Sequence, residues 1–459
     1  MTLTPAVGRD RLPSLTGLRF WAALLVVLYH LSRQVGTVPG LSEAVWYGRS
    51  GVTFFFVLSG AVLAWTYEGA RVSARVFLWR RFARIWPLLA VSVGLSVAVW
   101  AVMGRAVPAG AVAATLLLVH AWFPQPVVFT GGNPAAWSLS DEAWFYLVFP
   151  ALLAVLAGRR SRVWAWTAVA VVGAALVLWP ALSGLPPTTR TWALDYLPLT
   201  RSLQFVLGVV AGLALRRGWR PPLPLPVAIA LVAGWHLALV PWSNAVPDAL
   251  WYSPYSASQW LSAPLFAALI CAAARADLDG RRTGLGGAWM IRLGHWSFAW
   301  YLLHEIVIRV AVFHWGKPDP GVETPVFWAG VAAVSLALAA LAYHWVERPA
   351  ERWLRGLARR SSPAPASPAS PASPASPASP ASPASPAAPP ARTSSRATTA
   401  SEAHMASGVH TASEAHTAPE AHTASEAGGP AEDYRPAEDY RPAEDDGASA
   451  PVSAGPPGR

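Results

Sequence analysis

The chain has 459 residues, 54% of them hydrophobic and only 13% charged, against about 25% charged in ordinary soluble domains, which excludes a soluble globular protein. Its net charge of +10 sits in short arginine clusters between apolar runs, the way topology is written in membranes, and argues against nucleic acid as a partner. The single cysteine, Cys271, rules out an internal disulfide and a cysteine-based zinc cluster.

Apolar runs predict ten membrane helices, at 17–33, 51–67, 85–103, 137–157, 163–180, 201–217, 226–242, 259–275, 294–314 and 326–345. The first has basic flanks and no small-residue cleavage site after it, so it reads as a retained signal anchor. Within it, LTGLRFWAALLVVLYHLSR keeps Arg19 and His30. Eleven residues at 100° each return to within roughly 20° of the starting angle and advance roughly 16 Å, so the two share one helix face. Ionisable groups inside spans are costly and usually mark a site.

At the mouth of the third span, RRFARIWP sets Arg81 and Arg84 three residues apart on one face, where paired guanidiniums can grip a phosphate. Pro87 fits a helix start there. The next apolar piece, 111–123, is too short to cross. If it crossed, Arg159, Arg160 and Arg162 would fall outside and every later basic loop would invert. It is therefore expected to be re-entrant or interfacial, with both chain termini cytoplasmic.

The fourth span opens with NPAAWSLSDEAWFYLVFP. Interfacial aromatics account for its tryptophans, but not for adjacent Asp141 and Glu142 leading into a membrane helix. Glu142 lies four residues after Ser138, so the two share a face that can orient an imidazole or a substrate hydroxyl. The ninth span, GHWSFAWYLLHEIVIR, aligns Tyr301, Glu305 and Arg309 on one face, with His304 near mid-depth. The Glu305–Arg309 pair also fits simple mutual neutralisation. Past Ser361 come Ser-Pro-Ala triplets, a histidine-bearing repeat (His404, His410, His416, His422) and doubled PAEDYR segments. Such sequence cannot bury enough apolar surface to order itself. The expected organisation is a membrane domain over 1–360 and a disordered cytoplasmic tail over 361–459, whose histidines read as solvated rather than metal-binding.

In order, LTGLRFWAALLVVLYH, GVTFFFVLSG, RRFARIWP, WSLSDEAWFYLVFP, SFAWYLLHE and HWVERP resemble the membrane acyltransferase 3 family, the integral-membrane O-acyltransferases, from residue 13 to about 355. The family's Arg-x10-His pattern falls on Arg19 and His30, its Arg-x-x-Arg on Arg81 and Arg84, and its Trp-Ser-Leu-x-x-Glu on Trp137, Ser138, Leu139 and Glu142. The resemblance implies transfer of an acyl group, acetyl foremost, from acyl-CoA as co-substrate to a hydroxyl of a cell-surface glycan, a glycolipid or a macrolide. No bound cofactor or metal is implied. His30 is expected as general base, or as a transient acyl carrier, with Glu142 orienting it. Arg19, Arg81 and Arg84 are expected at the donor, and Trp137, Ser138, Tyr301 and His304 at the substrates. The fold expected is all-α, a polytopic bundle in the cell membrane. The competing class, a proton-coupled transporter or flippase, would also use intramembrane His, Glu and Arg, but the two halves of the chain show no internal repeat.

Overall fold

The computed structural model describes residues 11–70, 72–245 and 254–360; the tail expected over 361–459 lies outside the described residues. All regular structure within them is helical: α1 (Pro13–Gln34), α2 (Leu41–Val45), α3 (Ser50–Tyr67), α4 (Ala74–Val102), α5 (Ala109–Leu116), α6 (Pro126–Phe129), α7 (Trp137–Leu156), α8 (Ser161–Ala181), α9 (Pro187–Asp195), α10 (Pro198–Arg216), α11 (Leu225–Ala245), α12 (Pro254–Trp260), α13 (Ser262–Leu278), α14 (Ala288–Trp315), α15 (Glu323–Ala342) and α16 (Arg348–Arg360). A π-turn at Tyr343–Glu347 joins α15 to α16. Ten stretches are long and apolar enough to cross a bilayer, and each overlaps one of the ten apolar runs. This is a multi-pass membrane protein.

Residues 111–123 do not form a spanning helix. The eight residues of α5 end where Leu118 takes φ 60°, a left-handed conformation that breaks the helical ladder. A single 3-10 turn, His120–Trp122, follows. His120 is fully buried there, and burial pushes its imidazole down to about 4, only partly offset by the backbone of Ala136 and Ala114. Pro87 does not start a helix. Ser73 caps α4, its hydroxyl accepting from the Val76 N–H at 3.4 Å, and Pro87 lies inside the helix. The basic residues before Pro87 therefore continue the third span as helix rather than preceding it.

Glycines set the helix packing around the polar residues. A Cβ on Gly294 would lie 1.9 Å from the Thr16 carbonyl oxygen, and one on Gly17 2.1 Å from that of Leu285. The backbone of α1 thus rests directly on α14 and the chain before it, the close approach that small residues permit between membrane helices. Phe20 stacks on Trp300 one turn further along, at 5.6 Å. Helices α3 and α10 meet the same way: a Cβ on Gly60 would come 2.2 Å from the Phe205 oxygen, and one on Gly208 2.0 Å from that of Val57. The first turn of α1 is capped from α13, where Asp277 accepts the Ser14 N–H at 2.8 Å and its hydroxyl at 2.6 Å, satisfying donors that a helix start leaves open.

Candidate active site

Because α1 and α14 run side by side in the same direction, His30 arrives opposite Glu305. His30 Nδ1 lies 3.0 Å from Glu305 Oε2. Gln34 Nε2 donates to the same oxygen at 2.7 Å. The other oxygen, Oε1, accepts from Arg309 Nε at 3.0 Å and Nη2 at 2.6 Å. A carboxylate only accepts, so in the His30–Glu305 pairing Nδ1 carries the proton, with Gln34 Nε2 also 3.2 Å from it, and in the neutral ring Nε2 has the lone pair. Glu305 is 2% exposed and His30 25%: the acid is sealed in and the imidazole keeps an open side.

His304 stands beside this pair, its ring centre 5.1 Å from that of His30. Its Nδ1 lies 3.2 Å from the Trp300 carbonyl and donates to it, leaving Nε2 buried with no partner. Tyr301 follows, 5.9 Å from His304 between ring centres, and its hydroxyl meets Ser138 Oγ at 2.8 Å. His30, His304 and Glu305 offer three ligand atoms within 4.8 Å of one another, a spacing a metal ion can use. Arg309 already neutralises Glu305 and opposes a further positive charge, so the chemistry of this set favours holding and moving a proton.

At the other end of the α1 stripe a second cluster forms. Arg19 has its Nε buried without a partner and lies within electrostatic reach of Arg84, Glu142 and Glu347. Arg81 donates to the Tyr67 hydroxyl at 3.2 Å and lies 5.7 Å from the ring centres of Tyr67, Phe77 and Tyr146. Arg84 pairs with Glu347 and, at 3.5 Å, with Glu351. Glu347 ends the π-turn, an irregularity that often accompanies function. Its Oε2 is buried without a partner.

This geometry separates Glu142 from the role expected of it. Glu142 accepts from the Tyr146 hydroxyl and faces Ser59 at 3.5 Å, within the arginine cluster. The carboxylate against His30 is Glu305. Four-residue spacing on α7 does put Ser138 and Glu142 on one face, but Ser138 turns to Tyr301 while Glu142, one turn deeper, meets the arginines. Trp137 lies beside Tyr196, 4.8 Å between ring centres, away from the arginine cluster.

A third polar group, around Arg201, escaped the sequence reading. Arg201 is fully buried, donates to Gln259 Oε1 at 2.6 Å, and is walled by the rings of Phe56, Trp137 and Trp260 at 5.4, 5.6 and 5.7 Å. Gln259 donates to Asp195 at 3.1 Å, and Asp195 pairs with Arg49 at 3.3 Å. The available signal was an arginine at the first residue of an apolar run, readable equally as a topology charge.

A sequence model of the acyltransferase domain family matches residues 12–344. Acyltransferase MdmB of Streptomyces mycarofaciens is 37% identical over 356 residues, 72% of this chain and 87% of that protein. Exopolysaccharide production protein ExoZ of Rhizobium meliloti is 28% identical over 73% of this chain and 96% of its own length. Peptidoglycan O-acetyltransferase OatA of Listeria monocytogenes is 30% identical over 34% of this chain and 26% of its length. No solved structure matches.

Proposed function

Given that this chain belongs to the acyltransferase family whose model covers residues 12–344, and is an O-acyltransferase of the membrane, we propose that it moves an acetyl group from acetyl-CoA to a sugar hydroxyl. Family membership sets the transporter alternative aside. The acceptor we favour is a glycan, glycolipid or macrolide sugar, in keeping with relatives named for peptidoglycan and exopolysaccharide. The protein resides in the cytoplasmic membrane, with the Arg19 end of the bundle and both termini on the cytoplasmic side, where CoA is found.

The observation that carries the reading is the imidazole of His30, held by the buried carboxylate of Glu305 and left open at Nε2. This is the arrangement of a general base whose tautomer is fixed by an acid. His30 Nε2 takes the proton of the acceptor hydroxyl as its oxygen attacks the thioester carbonyl. The carbon–sulfur bond then breaks, and the same proton passes to the departing CoA sulfur. Acetyl ester and free CoA result, and the base is regenerated. Arg19, Arg81 and Arg84 hold the phosphates of the donor, roughly 16 Å along the helix from the histidine. His304, Tyr301 and Ser138 border the reacting hydroxyl, and Trp137 lies behind them.

Membranes containing the wild type, His30→Ala or Arg81→Ala, given labelled acetyl-CoA and extract of the producing cells, test this. Label should enter an extractable product with the wild type only, and its mass identifies the acceptor. Equal labelling by His30→Ala removes the general-base assignment. Folded wild type that neither transfers label nor cleaves the thioester refutes acetyl-CoA as donor.

A further inference from the structure

Asp141 is fully buried, and neither of its carboxylate oxygens has a hydrogen-bond partner. Arg201 is equally buried, and its Nε and Nη1 are likewise unpartnered. The two lie within electrostatic reach of each other and of Tyr301, yet they make no hydrogen bond together. Two further buried atoms in the same group, Trp260 Nε1 and Gln204 Oε1, are also unpartnered. Buried charges are ordinarily paired and hydrogen-bonded, and each exception calls for an explanation. Here the exceptions gather in one place, and they include both acceptors and donors.

From this we infer that Asp141, Arg201, Gln204 and Trp260 form a binding site for a neutral sugar ring, the acceptor's, next to the reaction centre. The inference rests on the acyltransferase reading above and names where its second substrate sits. A group that donates and accepts at once suits this set: a sugar hydroxyl donates to the Asp141 carboxylate and accepts from the Arg201 guanidinium. An anionic sugar meets Asp141 and a cationic one meets Arg201, each next to a buried like charge. The indole and phenyl rings of Trp137, Trp260 and Phe56 around Arg201 supply the apolar surface that a sugar ring can pack beside. Tyr301 connects this group to His304 and so to His30. The Arg49–Asp195 pair adjoins the group through Gln259. A site built to hydrogen-bond hydroxyls discriminates strongly against rings that lack them, because its buried polar atoms are then left unpaired.

The test uses the full chain in lipid nanodiscs with hexyl β-D-glucoside, hexyl β-D-galactoside and hexyl α-L-rhamnoside as neutral probes. Hexyl β-D-glucuronide and the hexyl glycoside of glucosamine serve as charged controls. Binding is read as a saturable change in tryptophan fluorescence, to which Trp137 and Trp260 contribute, and transfer is read separately with labelled acetyl-CoA. At least one neutral glycoside should bind saturably, with both charged glycosides weaker by about tenfold or more. Asp141→Asn and the milder Trp260→Phe should each weaken it, Asp141→Asn by about tenfold, the equivalent of one hydrogen bond to a charged group. The KM for acetyl-CoA should be unchanged. The inference is overturned if no neutral glycoside binds the wild type, if charged and neutral glycosides bind alike, or if Trp260→Phe and a folded Asp141→Asn both bind as the wild type does. Where Asp141→Asn fails to fold, Trp260→Phe and the charge series decide. Binding of the expected pattern without label transfer upholds the site and refutes the acetyl-CoA reading, so the two fail separately.

Discussion

Glu305→Gln, set beside Glu142→Gln, separates the carboxylate that lies against His30 from the one the sequence pattern assigned to it. The substitution keeps size and removes charge. Its amide must present NH2 either to His30 Nδ1 or to Arg309, both of which donate to Glu305. Facing His30, it forces the imidazole into the other tautomer, protonating the Nε2 that serves as base. Facing Arg309, it sets donors against donors. The hydrogen bond lost from imidazole to carboxylate is charge-assisted, about 1.5–3 kcal/mol, and if it acts in the transition state it corresponds to a fall in kcat of about 10- to 150-fold. The KM for acetyl-CoA should stay near the wild-type value, because Glu305 does not touch the arginine cluster. Glu142→Gln should do the reverse, changing the KM for acetyl-CoA through Arg19 and Arg81 with a smaller effect on kcat. Steady-state transfer of label from acetyl-CoA, with both proteins matched for folding by thermal unfolding in nanodiscs, measures the split. A Glu142→Gln enzyme that loses kcat at unchanged KM, beside a Glu305→Gln enzyme with normal kcat, would refute the assignment of Glu305 to His30.

Glu347→Gln should lower the KM for acetyl-CoA several-fold, since Glu347 occupies the guanidinium of Arg84 proposed to hold the donor's phosphate; a raised KM would make Glu347 a structural partner instead. His120 should make the fold acid-sensitive: its imidazole titrates near 6.5 when exposed but only at about 4 when buried. Stability is therefore full above pH 6.5 and falls by about 1.4 kcal/mol per pH unit between pH 6.5 and 4, a slope that His120→Phe should remove from thermal melts taken across that window. Gly294→Ala should cost about 1–3 kcal/mol or prevent folding, because its Cβ would collide with the Thr16 carbonyl. Gly330→Ala, whose Cβ meets nothing within 4 Å, should unfold at the wild-type temperature or slightly above it.

The number and rough position of the spans were legible because the bilayer imposes a single rule on them, about twenty apolar residues without an unpaired backbone group. The shared face of Arg19 and His30 was legible because it follows from helix geometry alone. The partner of His30 was not. Both Glu142 and Glu305 lie on helices that enter the bundle, and only the packing of α1 on α14 through Gly17 and Gly294 selects Glu305. The motif GVTFFFVLSG stands among the segments that carry the family resemblance, with no role of its own legible in the sequence. Its glycines instead set helix spacing, Gly51 against the Ala22 carbonyl and Gly60 against that of Phe205. Arg201 was missed because an arginine at the start of a span looks the same whether it faces lipid headgroups or three aromatic rings.

The three polar groups along the bundle are each close to electrically neutral, and under the proposed function that would decide how the two outer ones receive substrate. Arg19, Arg81 and Arg84 face Glu142, Glu347 and Glu351. Arg309 faces Glu305 between two histidines. Arg201 and Arg49 face Asp141 and Asp195. In a low-dielectric interior an unbalanced charge would be costly, so neutrality is the condition for keeping so many ionised groups there. The phosphorylated donor proposed for the first group would add negative charge, and the group would remain balanced only if carboxylates gave up Arg84. Glu351 already has a second cation in Arg355, at 2.5 Å, and Glu347 sits on a turn wider than an α-helix; both are placed to yield. At the far group the neutral sugar proposed there would change no charge and need no such exchange. Under the proposed function, the donor end would work by replacing one anion with another and the acceptor end by filling unmet hydrogen bonds, with His30 between them holding its Nδ1 proton against Glu305 and taking the acceptor's proton at Nε2.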